Sequence, residues 1–233
     1  DPASEVCSAA ISVNGEVVAI AEDLHSQSHS ALLTLQIEEC AKMSGIALDA
    51  LDAVAVSQGP GSYTSLRVGA SVAKGICYAL DKPLIAVDTL LALAWASREI
   101  TSQQPSISHP LFIPMLDARR QEVWAAVFDS SLRLLKPAQP LVLENNLFEI
   151  YVREIPEFDQ SNVPILSGNG SLKFQNVMNG EKVVFSQIKN CSARHLAALA
   201  EQFFQDADFQ NVAYFEPFYM KAPNITTPSK APF

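Results

Sequence analysis

The sequence predicts an α/β fold built from two similar lobes, and three observations lead to that class. Short apolar runs of strand length alternate with longer segments in which apolar residues recur at helical spacing. The order β-β-β-α-β-α-β-α occurs on each side of a polar segment at 100–110, provided that a strand precedes Asp1. The 233 residues are 48% apolar and 18% charged, which is enough apolar material for one large domain or two lobes. We therefore expect sheets flanked by helices in both lobes.

The first half opens with a predicted β-hairpin. Two apolar runs at 8–13 and 16–21 are joined by Asn14-Gly15, a dipeptide that favours the two-residue turns of hairpins. A helix capped by Ser28 follows over 28–44, and Gly45 is its stop signal. The other predicted elements are a buried strand at 53–57, a helix at 62–80, a strand at 83–87 and a helix at 89–99 that Asp88 caps.

The segment 100–110 is the best boundary in the chain because it is polar and contains two prolines. We expect an N-terminal lobe over 1–105 and a C-terminal lobe over 106–233, with a hinge near Pro105. The halves share only the order of their elements, since no sequence repeat is visible. In the second half we predict strands at 111–116, 122–128, 132–143, 163–167 and 182–185, and helices at 144–153, after the turn at 168–170, and at 192–206.

Charge and cysteine content argue against several classes of protein. Sixteen Lys and Arg against twenty-five Asp and Glu give a net charge of −9, whereas a stand-alone nucleic-acid binder needs clustered positive charge. The four cysteines lie far apart without a C-x-x-C pair, so neither a disulfide framework nor a zinc site is expected. The most apolar segment, 83–97, is interrupted by Asp88 and is too short to span a bilayer. We expect a cytoplasmic protein.

The most distinctive segment, at 57–69, has the sequence SQGPGSYTSLRVG. It lies where a strand enters a helix, a place where free backbone N–H groups can hold an anion. The segment lacks the Gly-Lys-Ser/Thr of a Walker A loop, the G-x-G-x-x-G pattern and the G-x-S-x-G nucleophile elbow. A structural turn is therefore favoured, with anion binding and catalysis as the alternatives.

The helix behind this turn has a face of small residues, with Gly69, Ala70, Ala73 and Cys77 at intervals of three or four. Small side chains allow a second helix to approach closely. The face is equally consistent with packing on the chain's own sheet and with a helix–helix interface to a partner. The residues alone leave both interpretations open.

The histidines and the DARR tetrapeptide at 117–120 do not assemble a catalytic or metal site in the sequence. His25 and His29 have the i,i+4 spacing of a metal-binding pair, but no nearby carboxylate or third histidine completes it. His109 and His195 are isolated, and no histidine has an obvious nucleophile partner for a hydrolytic triad. The DARR tetrapeptide is predicted to form a hairpin turn, with contact to an acidic partner or a phosphate as the alternative. We therefore predict neither catalytic residues nor a metal.

Six motifs along the chain carry a resemblance to one known family. The segment GPGSYTSLRVG at 59–69 matches the signature G-P-G-S-[FY]-T-G-L-R-[IV]-G, except that Ser65 replaces a glycine. The other motifs, in order, are DPASEVCS at 1–8, His29-Ser30 followed by Leu32-Leu33, DARR at 117–120, GNG at 168–170 and EPFYMK at 216–221. The first of these has Pro2 where the family has threonine. On these motifs the chain resembles the bacterial TsaB, or YeaZ, family over essentially its whole length.

The resemblance implies an actin/Hsp70-like (ASKHA) fold of two RNase H-like lobes. It also implies a role in making N6-threonylcarbamoyladenosine (t6A) at position 37 of tRNAs that read ANN codons. In this family the protein is a non-catalytic scaffold paralogue of the transferase TsaD, and it works with the ATPase TsaE without a cofactor of its own. It would meet tRNA only through the complex. The alternatives are an active nucleotide-hydrolysing or glycoprotease-like enzyme and a chaperone-like nucleotide switch.

The resemblance also implies a partner surface. In the family the first two helices pair with those of TsaD, or with a second copy of the same chain when TsaD is absent. This implication favours the interface interpretation of the small-residue face. The residues expected at the interface are His29, Leu32, Leu33, Gln36, Ser62, Tyr63, Leu66, Arg67, Gly69, Ala70, Ala73, Lys74 and Cys77, beside the motif turn Gly59, Pro60 and Gly61.

Overall fold

The chain forms an α/β fold in which strands and helices alternate, as predicted. The computed structural model describes residues 6–23, 29–104, 107–142, 151–155, 158–159, 161–175 and 183–220, with side chains from residue 32 in the second range. The strands are β1 (Cys7–Val13), β2 (Glu16–Asp23), β3 (Val54–Gly59), β4 (Leu84–Asp88), β5 (Pro110–Asp117), β6 (Glu122–Phe128), β7 (Leu134–Val142), β8 (Val163–Ser167) and β9 (Val184–Phe185). The helices are α1 (His29–Ser44), α2 (Tyr63–Leu80), α3 (Thr89–Thr101), α4 (Leu172–Gln175) and α5 (Ala193–Gln205).

The first half contains two separate pairs of strands. β1 and β2 form an antiparallel hairpin, and its turn residues Asn14 and Gly15 have φ values of 52° and 80°. Two positive φ values are what a type I′ turn requires, which explains the Asn-Gly dipeptide. β3 and β4 pair in parallel on either side of α2 in the chain. α1 packs on the hairpin and α2 packs on β3.

The second half contains one five-stranded sheet in the order β7-β6-β5-β8-β9. Its central strand, β5, runs antiparallel to β6 and parallel to β8. Alternate β5 side chains serve the two faces of the sheet, as strand geometry dictates. Phe112 and Leu116 join the apolar cluster around α3, whereas Ile113 and Met115 join a cluster with Tyr151 on the other face.

Helices α3 and α5 form a layer that both halves share. α3 packs on β5, β6 and β8, and α5 packs on all four strands of the first half. The two helices also pack on each other. The largest apolar cluster lies around this layer and includes Leu90, Leu93, Leu196 and Leu199. The second half is therefore held to the first through the α3–α5 layer.

Asp88 and Gly45 have the roles at helix ends that the sequence predicts for them, and Ser192 adds a cap that was not predicted. The Asp88 Oδ1 atom accepts a hydrogen bond from the Leu91 N–H at 2.9 Å and caps α3. Ser192 caps α5 in a capping box with His195. Gly45, with φ +69°, ends α1 in the left-handed conformation that glycine adopts without strain. Ser28, the predicted cap of α1, lies outside the described residues.

Four segments differ from the prediction or lie outside the part described. α3 continues to Thr101, two residues beyond the predicted end. Most of the predicted helix at 144–153 and the boundary residues 105–106 fall outside the described residues, although 151–153 are helical. The C-terminal segment returns to the first half, where Gln210 bridges to Leu84 and Phe215 enters the core around β3 and β4. The pattern of apolar residues contains no signal for that return.

Among the described helices, none combines the length and the apolar character that a membrane span needs.

Candidate partner interface

The turn between β3 and α2 is closed by the C-terminal segment. Gly59 has φ +111°, and a Cβ at this position would lie 2.6 Å from the Phe218 carbonyl oxygen. The Phe218 N–H donates a hydrogen bond to the Gln58 carbonyl at 2.6 Å. A side chain at residue 59 would therefore collide with the Phe218 backbone, which its hydrogen bond to Gln58 holds in place. This contact explains why the first residue of the motif is a glycine.

Ser62 and Ser65 occupy the start of α2. Ser62 is the N-cap residue by backbone conformation, but its side chain caps no backbone N–H. Its Oγ atom instead accepts a hydrogen bond from the buried Ser65 hydroxyl at 3.0 Å. The serine that replaces the family's glycine is thus accommodated by a local hydroxyl pair.

The small-residue face of α2 packs inward. Ala70, Ala73 and Cys77 are at most 5% exposed and form a cluster with strand residues that include Val56 and Leu84. Gly69 and Leu66 are also buried. These side chains therefore lie against the chain's own β3 and β4, so the first of the two interpretations of this face describes their packing.

The outer face of α2 presents a second set of small residues. Ser71, Gly75 and Ala79 are exposed at intervals of four, and Thr64 is exposed two turns before Ser71 on the same side. A Cβ built on Gly75 would meet no heavy atom within 4 Å, so the space above it is open. The outer face therefore offers the close backbone approach that was expected of the inner one.

On α1 the predicted interface residues divide between the core and the surface. Leu33 and Gln36 are buried, and the Gln36 Nε2 donates a hydrogen bond to the Cys7 carbonyl at 2.9 Å. Leu32 is half-buried. Leu35 and Met43, which are not in the predicted set, are 58% and 59% exposed. Large exposed apolar side chains on a helix are candidates for partner contacts.

The candidate metal-binding pair, His25 and His29, consists of residues whose side chains the structure does not describe. His29 is the first residue of α1, and only its backbone lies in the described part. His25 lies outside the described residues. The structure therefore adds nothing to the i,i+4 spacing that the sequence shows.

Aromatic and basic residues join the start of α2 to the C-terminal segment. The rings of Tyr63 and Tyr219 lie 4.6 Å apart, and the Arg67 guanidinium donates a hydrogen bond to the Tyr63 hydroxyl at 3.2 Å. The Lys74 ammonium donates hydrogen bonds to the Ala213 and Phe215 carbonyls at 3.1 and 3.0 Å. Lys74 therefore anchors this segment beside α2 within the chain.

The C-terminal segment adds exposed aromatic residues to this surface, and none of them is in the predicted set. Tyr78 and Tyr214 are 88% and 84% exposed, and Phe218 is 51% exposed. The motif at 216–221 marks this segment as notable in the sequence. A motif alone does not show which part of the fold the segment contacts. The candidate surface therefore comprises the outer faces of α1 and α2 together with the segment beside Lys74.

Glu22, Ser192 and His195 come together, although the sequence separates the first from the others by 170 residues. The Ser192 N–H donates a hydrogen bond to His195 Nδ1 at 3.2 Å, and the Ser192 hydroxyl donates to Glu22 Oε1. Arg194 forms an ion pair with Glu22 at 2.8 Å. The imidazole thus accepts from a backbone amide rather than from the serine hydroxyl. This geometry caps α5 and ties it to β2, and it is not that of a nucleophile with its general base.

The pKa of His195 is lowered to about 4, mainly by burial and to a smaller extent by Arg194, while Glu22 opposes the change. For Glu22, burial raises the pKa, but hydrogen bonds from Ser192 and Arg194 outweigh it and the pKa is lowered. The imidazole is therefore neutral and the carboxylate ionised near neutral pH.

The DARR turn has the structural role that was favoured. The Asp117 carboxylate pairs with the Lys173 ammonium at 2.5 Å, and its backbone N–H donates to Asn169 Oδ1 at 2.9 Å. Arg119 and Arg120 are exposed with φ values of 69° and 51°. Within the described ranges, no three His, Cys, Asp or Glu residues group closely enough to hold a metal ion.

Comparison with known proteins identifies the family. A family model described as TsaD, tRNA N6-adenosine threonylcarbamoyltransferase, matches residues 19–230. The chain belongs to this family. The TsaB tRNA threonylcarbamoyladenosine biosynthesis protein of Haemophilus influenzae is 35% identical over 53% of this chain and 50% of that protein. The corresponding Escherichia coli K12 protein is 30% identical over 55% and 52%.

The structural comparison confirms the fold. YeaZ from Pseudomonas aeruginosa has a TM-score of 0.77 at 23% identity, covering 94% of this chain and 97% of that one. The ASKHA class expected from the motifs is therefore the class observed, and the resemblance to TsaB (YeaZ) is confirmed. The chain spans about half the length of the curated relatives that it matches.

Proposed function

We propose that this chain is a non-catalytic scaffold subunit of the machinery that transfers a threonylcarbamoyl group to adenosine 37 of tRNAs reading ANN codons. The support is the family membership, together with two curated relatives that are named TsaB biosynthesis proteins rather than transferases. Its partner in this proposal is a TsaD-like transferase, with TsaE in the assembled complex. It contacts tRNA only through that complex, and it works in the cytoplasm.

The outer faces of α1 and α2 are the surface through which it pairs. Leu35, Met43 and Tyr78 expose large apolar groups there, and Ser71 and Gly75 leave room for a second helix. Two helices from each partner would form a four-helix contact with interaxial distances near the short end of about 8–10 Å. Tyr63 and Arg67 lie at the edge of this surface. The buried residues of the predicted set pack beneath it, against the chain's own core.

The same surface accounts for the proposed homodimer. A soluble chain rarely leaves a large apolar patch uncovered, so a second copy occupies the face when the transferase is absent. Such pairing is two-fold symmetric, with each face meeting its own copy. The transferase and the second copy therefore compete for one surface.

A charge on the outer face tests the proposal. Ser71→Arg inserts a long cation where the backbones approach, so both the homodimer and the complex with TsaD should weaken while the fold is retained. Ser130→Arg, in the exposed β6–β7 turn, makes the same change away from the face. Light scattering with and without TsaD measures assembly, and circular dichroism measures the fold. Unchanged assembly of Ser71→Arg would contradict the assignment of the surface.

Nucleoside analysis tests the function itself. Deleting the gene for this chain should lower the t6A content of tRNA, and the wild-type and Ser130→Arg chains should restore it. Ser71→Arg should restore less in proportion to its weaker assembly. Normal t6A without the chain would refute the scaffold role even if the assembly result held.

The catalytic alternative predicts the opposite behaviour of the pure protein. It requires hydrolysis of ATP or cleavage of a glycoprotein in the absence of partners, with loss of activity in Ser62→Ala or His29→Ala. The hydrogen bonds of Ser192 and His195, which serve the cap of α5, favour the scaffold. If the pure protein turns over a substrate and either substitution abolishes this activity, the catalytic alternative replaces the scaffold proposal.

A further inference from the structure

A groove with acidic walls lies between the end of β2 and the first half of α1. It has a volume of about 530 Å³ and is lined by residues 21–23 of β2 and by Leu32, Leu35, Gln36 and Glu39 of α1. Three of these side chains are carboxylates, and none of the lining residues that the structure describes is basic. Leu35 belongs to the exposed outer face of α1. The groove therefore adjoins the candidate surface.

Gln36 contributes to this groove a buried oxygen atom that lacks a hydrogen-bond donor. The residue is 6% exposed, and its Nε2 donates a hydrogen bond to the Cys7 carbonyl at 2.9 Å. This bond fixes the orientation of the amide, while no described group donates to its Oε1 atom. Buried acceptors without a donor are costly and uncommon in folded proteins. The amide oxygen therefore indicates that a donor from outside the chain belongs in the groove.

The acidic residues around the groove differ in what already pairs with them. Glu22 is engaged, because Arg194 forms an ion pair with it at 2.8 Å. Glu38, which precedes the lining residue Glu39, is also engaged, because Lys42 pairs with it at 2.6 Å along the same helix. The exposed Glu39 carboxylate forms neither an ion pair nor a hydrogen bond with a residue that the structure describes. Glu39 is therefore available to an external cation.

The lining suits a side chain that only donates hydrogen bonds and has an apolar stem. Carboxylates and the amide oxygen are acceptors, whereas the ammonium of lysine and the guanidinium of arginine are donors without an acceptor. Hydrogen bonds between such charged groups are stronger than those between neutral ones. Leu32 and Leu35 line the same groove and provide apolar surface for the methylene groups of either residue. The matching ligand is therefore a basic side chain of a partner protein.

The basic residues of this chain's own candidate surface are already engaged. On α1, Lys42 pairs with Glu38. On α2, Arg67 donates a hydrogen bond to the Tyr63 hydroxyl, and Lys74 donates to two backbone carbonyls. A second copy of the chain would have to break one of these contacts to place a cation from these helices in the groove. A different partner does not carry that cost.

We propose that the groove receives a lysine or arginine side chain of the TsaD-like transferase and thereby favours the complex with the transferase over the homodimer. The inference rests on the proposed function, which supplies the partner and the surface. Both assemblies use the outer faces of α1 and α2, but only the complex gains a cation beside Glu39 and a donor for the Gln36 oxygen. Specificity is a difference between two affinities, so a contact that only one partner makes decides the competition.

Glu39→Gln tests this inference because it removes the charge with little change in shape. Analytical ultracentrifugation measures the dissociation constants of the homodimer and of the complex with TsaD. The variant should weaken the complex about tenfold and leave the homodimer within about twofold of wild type. Raising the salt concentration should reduce the difference between wild type and variant, since salt screens the charge pair. Glu38→Gln is the matched control and should change neither assembly, because its carboxylate is paired within the chain.

The possible outcomes separate the groove from the wider surface. Unchanged affinity of Glu39→Gln for TsaD would overturn the proposal, and Ser71→Arg then shows whether the wider surface stands. Equal weakening of both assemblies would also overturn it, since a second copy would then occupy the groove. Equal losses in Glu39→Gln and Glu38→Gln would overturn it as well, because they would reflect the overall charge of α1. Weakening by Glu39→Gln without an effect of Ser71→Arg would support the groove and contradict the wider surface.

Discussion

The two halves of this molecule contain the same kinds of strand pair, but only the second has a strand between them among the described residues. In that half β5 is buried along residues 111–116 and joins β6 to β8. In the first half the place between β1 and β3 is an apolar cavity of about 360 Å³. The order of elements is therefore enough to recognise the two halves as similar. A continuous sheet and core also require the central strand, which is described only in the second half.

The difference has an energetic consequence for each apolar side chain. Ile113 on β5 is fully buried, with neighbours on its own face of a complete sheet. Ile11 on β1 is only 6% exposed, but it also lines the cavity. A side chain beside a void lacks dispersion contacts on that side, so equal burial does not mean equal stabilisation.

The largest expected effect comes from truncating the same residue type in both halves. Ile113→Ala should lower the free energy of unfolding by about 4 kcal/mol, and Ile11→Ala by about 2 kcal/mol, within the range for buried isoleucine. The second is smaller because fewer contacts are lost beside an existing cavity. Urea unfolding at neutral pH measures both. Equal losses would show that the first half is as tightly packed as the second.

The elements themselves were largely predictable from sequence. Asn14-Gly15 and Asp88 are local signals with one strong structural outcome, and both have the predicted role. Pairing between distant segments was not predictable in this way. The return of Phe215 to the first half depends on contacts more than 120 residues apart in sequence, for which no local pattern exists.

The candidate site was predictable only in part. Helical spacing identified a face of small residues on α2, but spacing does not say which face of a helix meets the chain's own sheet. The burial of Ala73 at 4% exposure decides that question. Ser71 and Gly75 are also small, but they are exposed. The sequence alone does not distinguish their stripe from the buried one, because both lie on the same helix.

This burial changes the expected effect of a charge on the inner face. If the small-residue face met a partner, Ala73→Arg would weaken assembly and leave the monomer folded. Because Ala73 packs against β3 and β4, the substitution should instead reduce folding itself. Ser71→Arg is the variant that separates assembly from folding.

An intermediate effect is expected from the attachment of α5 to the first half. Burial lowers the pKa of His195 to about 4 from 6.5, so the folded chain holds this imidazole neutral. The unfolded chain therefore binds a proton more readily as the pH falls from 6.5 towards 4. The stability from the neutral imidazole is complete above pH 6.5, and about 2 kcal/mol of it should be lost at pH 5.

His195→Asn provides the control for this pH dependence. Urea unfolding at pH 7.5 and pH 5 should show a smaller difference for the variant by about 2 kcal/mol. Glu22 does not disturb this window, because its lowered pKa places its own titration below its ordinary value of 4.5. An equal pH dependence of the two proteins would show that the imidazole is not held neutral in the folded chain.

The smallest effect is expected at the proposed boundary between lobes 1–105 and 106–233. Four Gly and Ser residues inserted between Pro105 and Ser106 lengthen a connection without entering a sheet, and even doubling a flexible loop costs only about 0.6 kcal/mol. The same four residues between Asn14 and Gly15 destroy a two-residue turn whose φ values set the β1–β2 pairing, so they should cost several times more. Urea unfolding of the two insertions gives the comparison. A cost at 105–106 as large as the cost in the hairpin would mean that the halves meet elsewhere in the chain.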